Sequence, residues 1–406
     1  MKKVLLVGVS LIFILGSCSS RDNKQKEFNK DDFLVVIDSL KKVQNRKNKE
    51  LTNRIDDTNE NWSASTLINW SSYSVPYFKP DKIIQIRTIK ELRELNNTNL
   101  KGLIIDIDFK DSLNYETITF NQLPELEYLE IRNTHQCPMD FKGLTNIKTL
   151  KFNYIYDLDS IPDLNVGLKN IEALLITGAN DLTSLPEGIF NMTNLKSLSL
   201  SGLKMSRDTL SSDIMKLSEL RHFDFQTCSM ALPDEISELK KLQDLRIYNF
   251  SYYTPYAAIY KLPELKILEL NMNKPEQFDG ISNLTKLKIL DLETYVLSPE
   301  IGSITSLEGL SIYGNISEGY PSSLGNLKEI YALQLTFNQQ MQYAPEFILD
   351  LPKLNYLQIK GCDRLTEFDP AFKELKNLSL FDLSSNDSLT TIPNSLLHLE
   401  KIINLK

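Results

Sequence analysis

The sequence predicts an α/β-type solenoid, a horseshoe of short stacked coils with one parallel β-sheet on its concave side and an irregular or short helical convex side. Three observations lead there. The first is recurrence: Leu168-Lys-Asn-Ile171-Glu-Ala-Leu174-Leu-Ile176, Met192-Thr-Asn-Leu195-Lys-Ser-Leu198-Ser-Leu200 and Leu375-Lys-Asn-Leu378-Ser-Leu-Phe381-Asp-Leu383 spell one apolar pattern. The second is register. Units start at Leu123, Leu144, Leu168, Met192, Leu217, Leu239, Leu262, Leu284, Ile304, Leu327, Leu351 and Leu375, with a stub at Leu399, in steps of 20 to 25 residues. The third is the period-two segment inside each unit, such as Leu198-Ser-Leu200, which suits a strand with two apolar side chains turned inward. A lone unit has too few apolar side chains to offset the entropy of ordering its own backbone, so the units must stack.

Taken in order, Met1 to Ser17 carries two lysines and then an apolar run from Val4 to Leu15. That run has the proportions of a signal segment and is too short for a membrane-spanning helix. Leu15-Gly16-Ser17-Cys18 resembles a bacterial lipobox. The resemblance implies cleavage before Cys18, acylation of Cys18 and an anchor in a membrane surface. It also implies, from Ser19, passage to the outer membrane. Arg21 and Asp22 do not form the acidic cluster that marks surface export in some lipoproteins, which leaves both the periplasmic and the external side open. Residues 18–30 read as a flexible polar tether. Residues 31–96 read as a helical and capping region: Phe33, Val36, Ile37, Leu40 and Val43 recur at helical spacing, and Trp62, Trp70, Tyr73, Tyr77 and Phe78 supply an aromatic cover for the first coil. Lys82 to Ile86 suggests a first strand, and Thr88-Ile-Lys-Glu91 has capping-box spacing before a short helix through Leu95. Leu100, Leu103 and Ile105 make a degenerate first unit.

Residues 97–406, about three quarters of the chain, resemble the leucine-rich repeat family in these units. Leu185-Pro186, Leu232-Pro233 and Ile392-Pro393 resemble its Leu-Pro-containing subtypes, where proline suits the convex flank because it donates no backbone hydrogen bond. The family's interior asparagine position reads Thr134, Ile155, Ala179, Leu203, Cys228, Phe250, Asn273, Tyr295, Asn315, Asn338, Cys362 and Asn386. Only four are asparagine, so looser or bulged turns are expected in the first half. The last unit, ending Leu405-Lys406, reads as incomplete and without a separate cap, leaving a strand edge that Lys401 and Lys406 would blunt.

The formal charge of -8 supplies no basic stripe for phosphates, which argues against nucleic-acid binding. His135, His222 and His398 are scattered, no Cys-x-x-Cys pair occurs among Cys18, Cys137, Cys228 and Cys362, and no Asp-x-Asp-x-Asp-Gly loop is present, so neither metal nor cofactor is expected. Cys228 and Cys362 fall at interior positions, and Cys137 lies on a connection. No nucleophile elbow, zinc-protease, P-loop or dinucleotide motif stands out, and an open strand face offers no pocket in which to shift a pKa. Catalysis is therefore not expected.

Alternation places one residue per unit at the centre of the concave face, from Glu130 and Lys151 through Leu175 and Ser199 to Asp382. Small residues dominate from Ala173 to Ser201. Beyond them Asp224, Asp244, Arg246, Tyr248, Glu269, Asn271, Asp291, Glu293 and Tyr313 should lie side by side. This patch is the expected docking site for a protein partner, with Tyr248 and Tyr313 as anchors and the carboxylates selecting a basic or hydrogen-bonding surface. The alternative ligand is a glycan, using Tyr248, Tyr313, Trp62 and Trp70 as platforms.

Overall fold

A computed structural model describes residues 76–389 and 402–403, apart from 96–98, 110–116, 136–138, 157–163, 165–167, 180–181, 183–184, 186–187, 204–208, 227–229, 249–253, 255 and 273. The signal segment, Cys18, the tether, the helix expected from residue 31, Trp62, Trp70, Tyr73, Cys137, Cys228, Pro186, Pro393, Lys401 and Lys406 lie outside the described residues. Strands β1 (Ile84–Ile86), β2 (Gly102–Ile105), β3 (Ile118–Thr119), β4 (Tyr128–Thr134), β5 (Met139–Asp140) and β6 (Thr149–Ile155) open the chain. Then come β7 (Ala173–Thr177), β8 (Ser197–Ser201), β9 (His222–Gln226), β10 (Asp244–Tyr248), β11 (Ile267–Met272) and β12 (Ile289–Thr294). The series ends with β13 (Gly309–Tyr313), β14 (Ala332–Thr336), β15 (Tyr356–Lys360), β16 (Leu380–Asp382) and β17 (Ile402–Ile403). All but β3 and β5, which pair with each other, form one 15-stranded sheet in chain order. Every neighbouring pair is parallel and advances by one unit, the arrangement expected of a solenoid.

Period-two sequence explains the strands. Leu198 and Leu200, Phe223 and Phe225, Leu290 and Leu292, and Leu333 and Leu335 point inward and are 0% exposed, joining one core that runs from Ile86 to Leu389. The convex side carries 3-10 turns such as Asp234–Glu238, Pro299–Ser303 and Pro370–Glu374. Pro233 precedes the first of these and proline opens the other two, where its missing N–H has no helical partner to lose. Thr88 caps helix α1 (Ile89–Glu94) with the expected box: Glu91 N–H donates to its hydroxyl and its own N–H donates to the Glu91 carboxylate at 3.1 Å.

The boundary at residue 97 moves earlier. β1 pairs with β2 in the same sheet, and Ile86 and Leu92 belong to the same core, so this stretch is the first coil and not a separate cap. Tyr77 and Phe78 do not cover the end of the stack either. Tyr77 lies on the concave face, and Phe78 lies under Lys148 at the entry to β6, as set out below.

Of the first-half turns expected to be looser or bulged, those after β9 and β10 lie outside the described residues, and the others share one backbone feature. A left-handed residue recurs at the strand ends: Asn133 and Tyr154 next to last in β4 and β6, Gly178 and Gly202 directly after β7 and β8, then Phe337, Gly361 and Ser385, with φ between 55° and 71°. The residue that follows is buried whether or not it is asparagine, as with Ile155, Ala179 and Leu203. The left-handed residue makes the turn, and apolar side chains fill the interior position. Asn386 takes the hydrogen-bonding version, accepting from Cys362 N–H at 2.8 Å and donating to the Ile359 and Leu383 carbonyls. Tyr295 departs from its expected place: it is 53% exposed, and Thr294, 0% exposed, turns inward and closes the turn on Val296.

A second set of cross-coil bonds follows the asparagine within the repeated Thr-Asn or Lys-Asn step. Asn146, Asn170, Asn194 and Asn377 each donate to a backbone carbonyl of the preceding coil at 2.7 to 2.8 Å. The signal was present in the repeat itself, at spacings of about one unit. Coils also press together on the convex side. A Cβ on Gly302 would run into the backbone carbonyl of Ser323 on the next coil. Gly302→Ala is therefore expected to destabilise the array by about 1–3 kcal/mol, read as a lowered urea midpoint; an unchanged midpoint would contradict such close stacking.

Candidate partner-binding face

Register assembles the patch. Ser199 pairs with Asp224, Asp224 with Arg246, Arg246 with Glu269, Glu269 with Asp291 and Asp291 with Ser311, one residue per strand across β8 to β13. Adjacent parallel strands lie about 4.8 Å apart, so like charges here have no room to avoid each other. In the neighbouring column Asn271 pairs with Glu293 and Glu293 with Tyr313, while Tyr248 ends β10 opposite Gln226.

The patch is less open than the sequence suggests. Asp244 and Arg246 are 2% and 3% exposed. Arg246 Nε donates to Asp244 Oδ1 at 3.0 Å, and its Nη1 is 3.9 Å from Glu269 Oε2. His222 Nδ1 stands 3.7 Å from Asp244 Oδ2. These two residues therefore set the charge of the face from within instead of offering themselves to a partner. Ser199 Oγ donates to Asp224 Oδ2 at 3.0 Å, Asn271 Nδ2 donates to Glu293 Oε2 at 2.9 Å, and Tyr248 donates to Glu293. Asp224 Oδ1 and Asn271 Oδ1 are buried without a hydrogen-bond partner.

One guanidinium thus faces four carboxylates, and Glu293 adds a fifth negative group beside Asp291. Burial pushes Glu269 up to about 7, helped by the charge of Asp291. Burial likewise raises Asp224 and Asp291 to about 6, against the hydrogen bonds of Ser199 and Ser311. Burial also works against ionised Asp244, but Arg246 and His222 outweigh it and hold its carboxyl below the ordinary value. An open strand face was expected to leave pKa values alone. It does not, because the close spacing of strands and the flanking side chains desolvate the central column.

Tyr313 is 43% exposed and lies 5.0 Å, centroid to centroid, from Phe337, itself 46% exposed. Phe337 was not singled out from the sequence. Its left-handed backbone turns the ring over the next coil, where a Cβ on Gly361 would come within 3.0 Å of it.

A shallow cleft of about 540 Å³ lies elsewhere, where the chain enters β4 to β9. Its walls include Glu127, Lys148, Glu172 and Lys196. Lys148 and Lys101 both bind Glu127, at 2.8 and 2.9 Å, and Lys196 binds Glu172 at 3.4 Å. Those charges satisfy each other across coils, so the cleft is a stapled seam and the unbalanced patch is the stronger candidate. Among the described residues no group of three or more His, Cys, Asp or Glu is arranged to hold a metal ion, and no helix is long and apolar enough to cross a membrane.

Comparison with known proteins agrees with this architecture. Residues 81–255 match a family model described as a leucine-rich repeat region. The TMV resistance protein N of Nicotiana glutinosa is 28% identical over 173 residues, covering 42% of this chain and 14% of that protein. The volume-regulated anion channel subunit LRRC8B of Homo sapiens is 29% identical over 211 residues, covering 48% of this chain and 26% of that protein. The matches thus span 14% and 26% of these relatives' own lengths. Among solved structures, the TLR13-ssRNA13 complex aligns with a TM-score of 0.50 and 18% identity over 75% of this chain and 54% of that one, a likeness of fold.

Proposed function

We propose that this leucine-rich repeat protein is a non-catalytic interaction scaffold that binds a protein partner on its concave face between β9 and β13. The observation that carries the reading is the charge imbalance of four carboxylates, Asp224, Asp244, Glu269 and Asp291, around the guanidinium of Arg246, with Glu293 adding to it beside Asp291. A lysine or arginine of the partner placed against Glu269, Asp291 and Glu293 would relieve that repulsion, with Tyr248 and Tyr313 supplying rigid ring surface beside it. The overall charge of -8 and the acidic face both oppose phosphate backbones, so a polypeptide with basic side chains fits better than a nucleic acid. Leu15 to Cys18 support attachment by acyl chains at Cys18 to a bacterial envelope membrane, with the outer membrane as destination.

Crosslinked capture from envelopes tests the reading, using the full chain beside Tyr313→Ala and Glu269→Gln/Asp291→Asn variants. A partner retained by the parent should be lost at least tenfold in each variant, since a buried tyrosine anchor contributes about 2 kcal/mol. Equal capture by parent and variants would remove the patch from consideration. A second reading, glycan binding, has the exposed Tyr313 and Phe337 ring pair in its favour. Screening the same proteins on a glycan array separates the two.

A further inference from the structure

Five residues upstream of β1 follow a route that the repeat architecture does not require. Pro76-Tyr77-Phe78-Lys79-Pro80 belongs to no helix or strand, and its two prolines withhold backbone donors from any ladder. Tyr77 packs against Ala173 and Leu175 of β7 and stacks on Tyr128 of β4, with ring centroids 6.3 Å apart. Lys151 Nζ of β6 stands 5.5 Å over the Tyr77 ring, and Lys148 Nζ stands 4.7 Å over Phe78. Tyr128, Lys151, Ala173 and Leu175 all occupy outward columns of the concave sheet. Further along, Pro80 passes over β2 so closely that a Cβ on Gly102 would lie 2.7 Å from its ring.

These contacts trace a path. From β7 back to β1 is four inter-strand steps, on the order of 19 Å. The seven residues from Tyr77 to Ile84 reach about that far only when nearly extended. The segment therefore runs across the strands, along the floor of the groove. It covers the start of the small-residue stretch that the sequence left without a role: Ala173 and Leu175 are 2% and 3% exposed. Apolar Leu175 at the centre of a concave face makes sense once an aromatic ring sits on it.

We propose that the concave groove over β2 to β7 is a peptide-binding site whose resident ligand is the chain's own Pro76–Pro80 segment, held by Tyr77 and Phe78. The solenoid then has two functional halves. The first is filled in cis by an extended aromatic peptide, and the second, from β9 onward, is left for a partner in trans. The recognition chemistry is specific: an apolar floor of Ala173 and Leu175, a stacking wall at Tyr128, and two ammonium groups, from Lys148 and Lys151, above the rings.

Two measurements on the full chain test this. With the photo-crosslinker p-benzoylphenylalanine at position 77, irradiation should join residue 77 to the peptides that contain Tyr128, Lys151 or Ala173 to Leu175. Crosslinks confined to any other strands would overturn the proposal. Separately, a synthetic peptide spanning residues 74–82 should bind a Tyr77→Ala/Phe78→Ala variant, whose site is vacated, at least tenfold more tightly than the parent chain. Equal binding to both, or none to the variant, would show that the groove does not recognise this segment. Neither readout involves the acidic patch, so both stand apart from the fate of the partner reading.

Discussion

Arg246→Ala is expected to destabilise the protein by about 3–5 kcal/mol, because it leaves a buried carboxylate without its counter-charge. Asp244 is 2% exposed, and its bond to Arg246 Nε at 3.0 Å is what keeps it ionised there. Without the guanidinium, Asp224, Asp244, Glu269 and Asp291 face one another across four adjacent strands. For an array of this size the loss corresponds to a fall in the thermal midpoint on the order of 10 °C. The controls distinguish charge from packing. Asp244→Asn combined with Arg246→Met should recover much of the stability, since it removes the buried charges and retains the long side-chain stem. A midpoint for Arg246→Ala within about 1 °C of the parent would show that the pair is solvated, contrary to its burial. Destabilisation should be smaller near pH 5, where neighbouring carboxyls take up protons.

The backbone of this argument was legible in the sequence, because a fixed unit length dictates which residues become neighbours. The column from Glu130 to Asp382 could be written down before any coordinates, and the observed pairing follows it from strand to strand. Burial was not legible. Alternation says that Arg246 and Asp244 point outward, but how much water reaches them depends on the side chains of adjacent coils, which periodicity does not describe. The same limit hid the path of Tyr77. An aromatic cluster before a repeat array reads as an end cap, and only the contacts to Ala173 and Leu175 place Tyr77 inside the groove. Tyr295 was misplaced for a different reason: Thr294 satisfies its hydroxyl on the Val296 carbonyl and can turn inward, so the interior position shifts by one residue.

Stability is expected to be greatest in mildly acidic solution, and Glu269→Gln should remove about a third of that preference. The sign follows from the direction of each shift. Glu269, Asp224 and Asp291 hold their protons to about 7, 6 and 6 in the folded state, above their ordinary values of 4.5, 3.8 and 3.8. Between roughly pH 4 and 7 the folded chain therefore binds more protons than the unfolded chain, and stability falls as pH rises. Asp244 acts in the opposite sense: its contribution is present above the ordinary carboxylate range and disappears as pH falls through its depressed folded value. The Asp244 contribution is lost only below the ordinary carboxylate range, so above it the three raised groups set the slope, and they titrate as a coupled set. Removing the Glu269 charge should raise stability at pH 8 by about 2–3 kcal/mol and change it little at pH 4.5. Urea unfolding at the two pH values reads both; an equal effect at each would sink the assignment. The same titration bears on partner binding. A cationic side chain docked against Glu269 and Asp291 favours their ionised forms, so affinity should weaken as pH drops through 6 while the free protein becomes more stable. A face that destabilises its own fold at neutral pH is one that gains most from being covered by a positive charge.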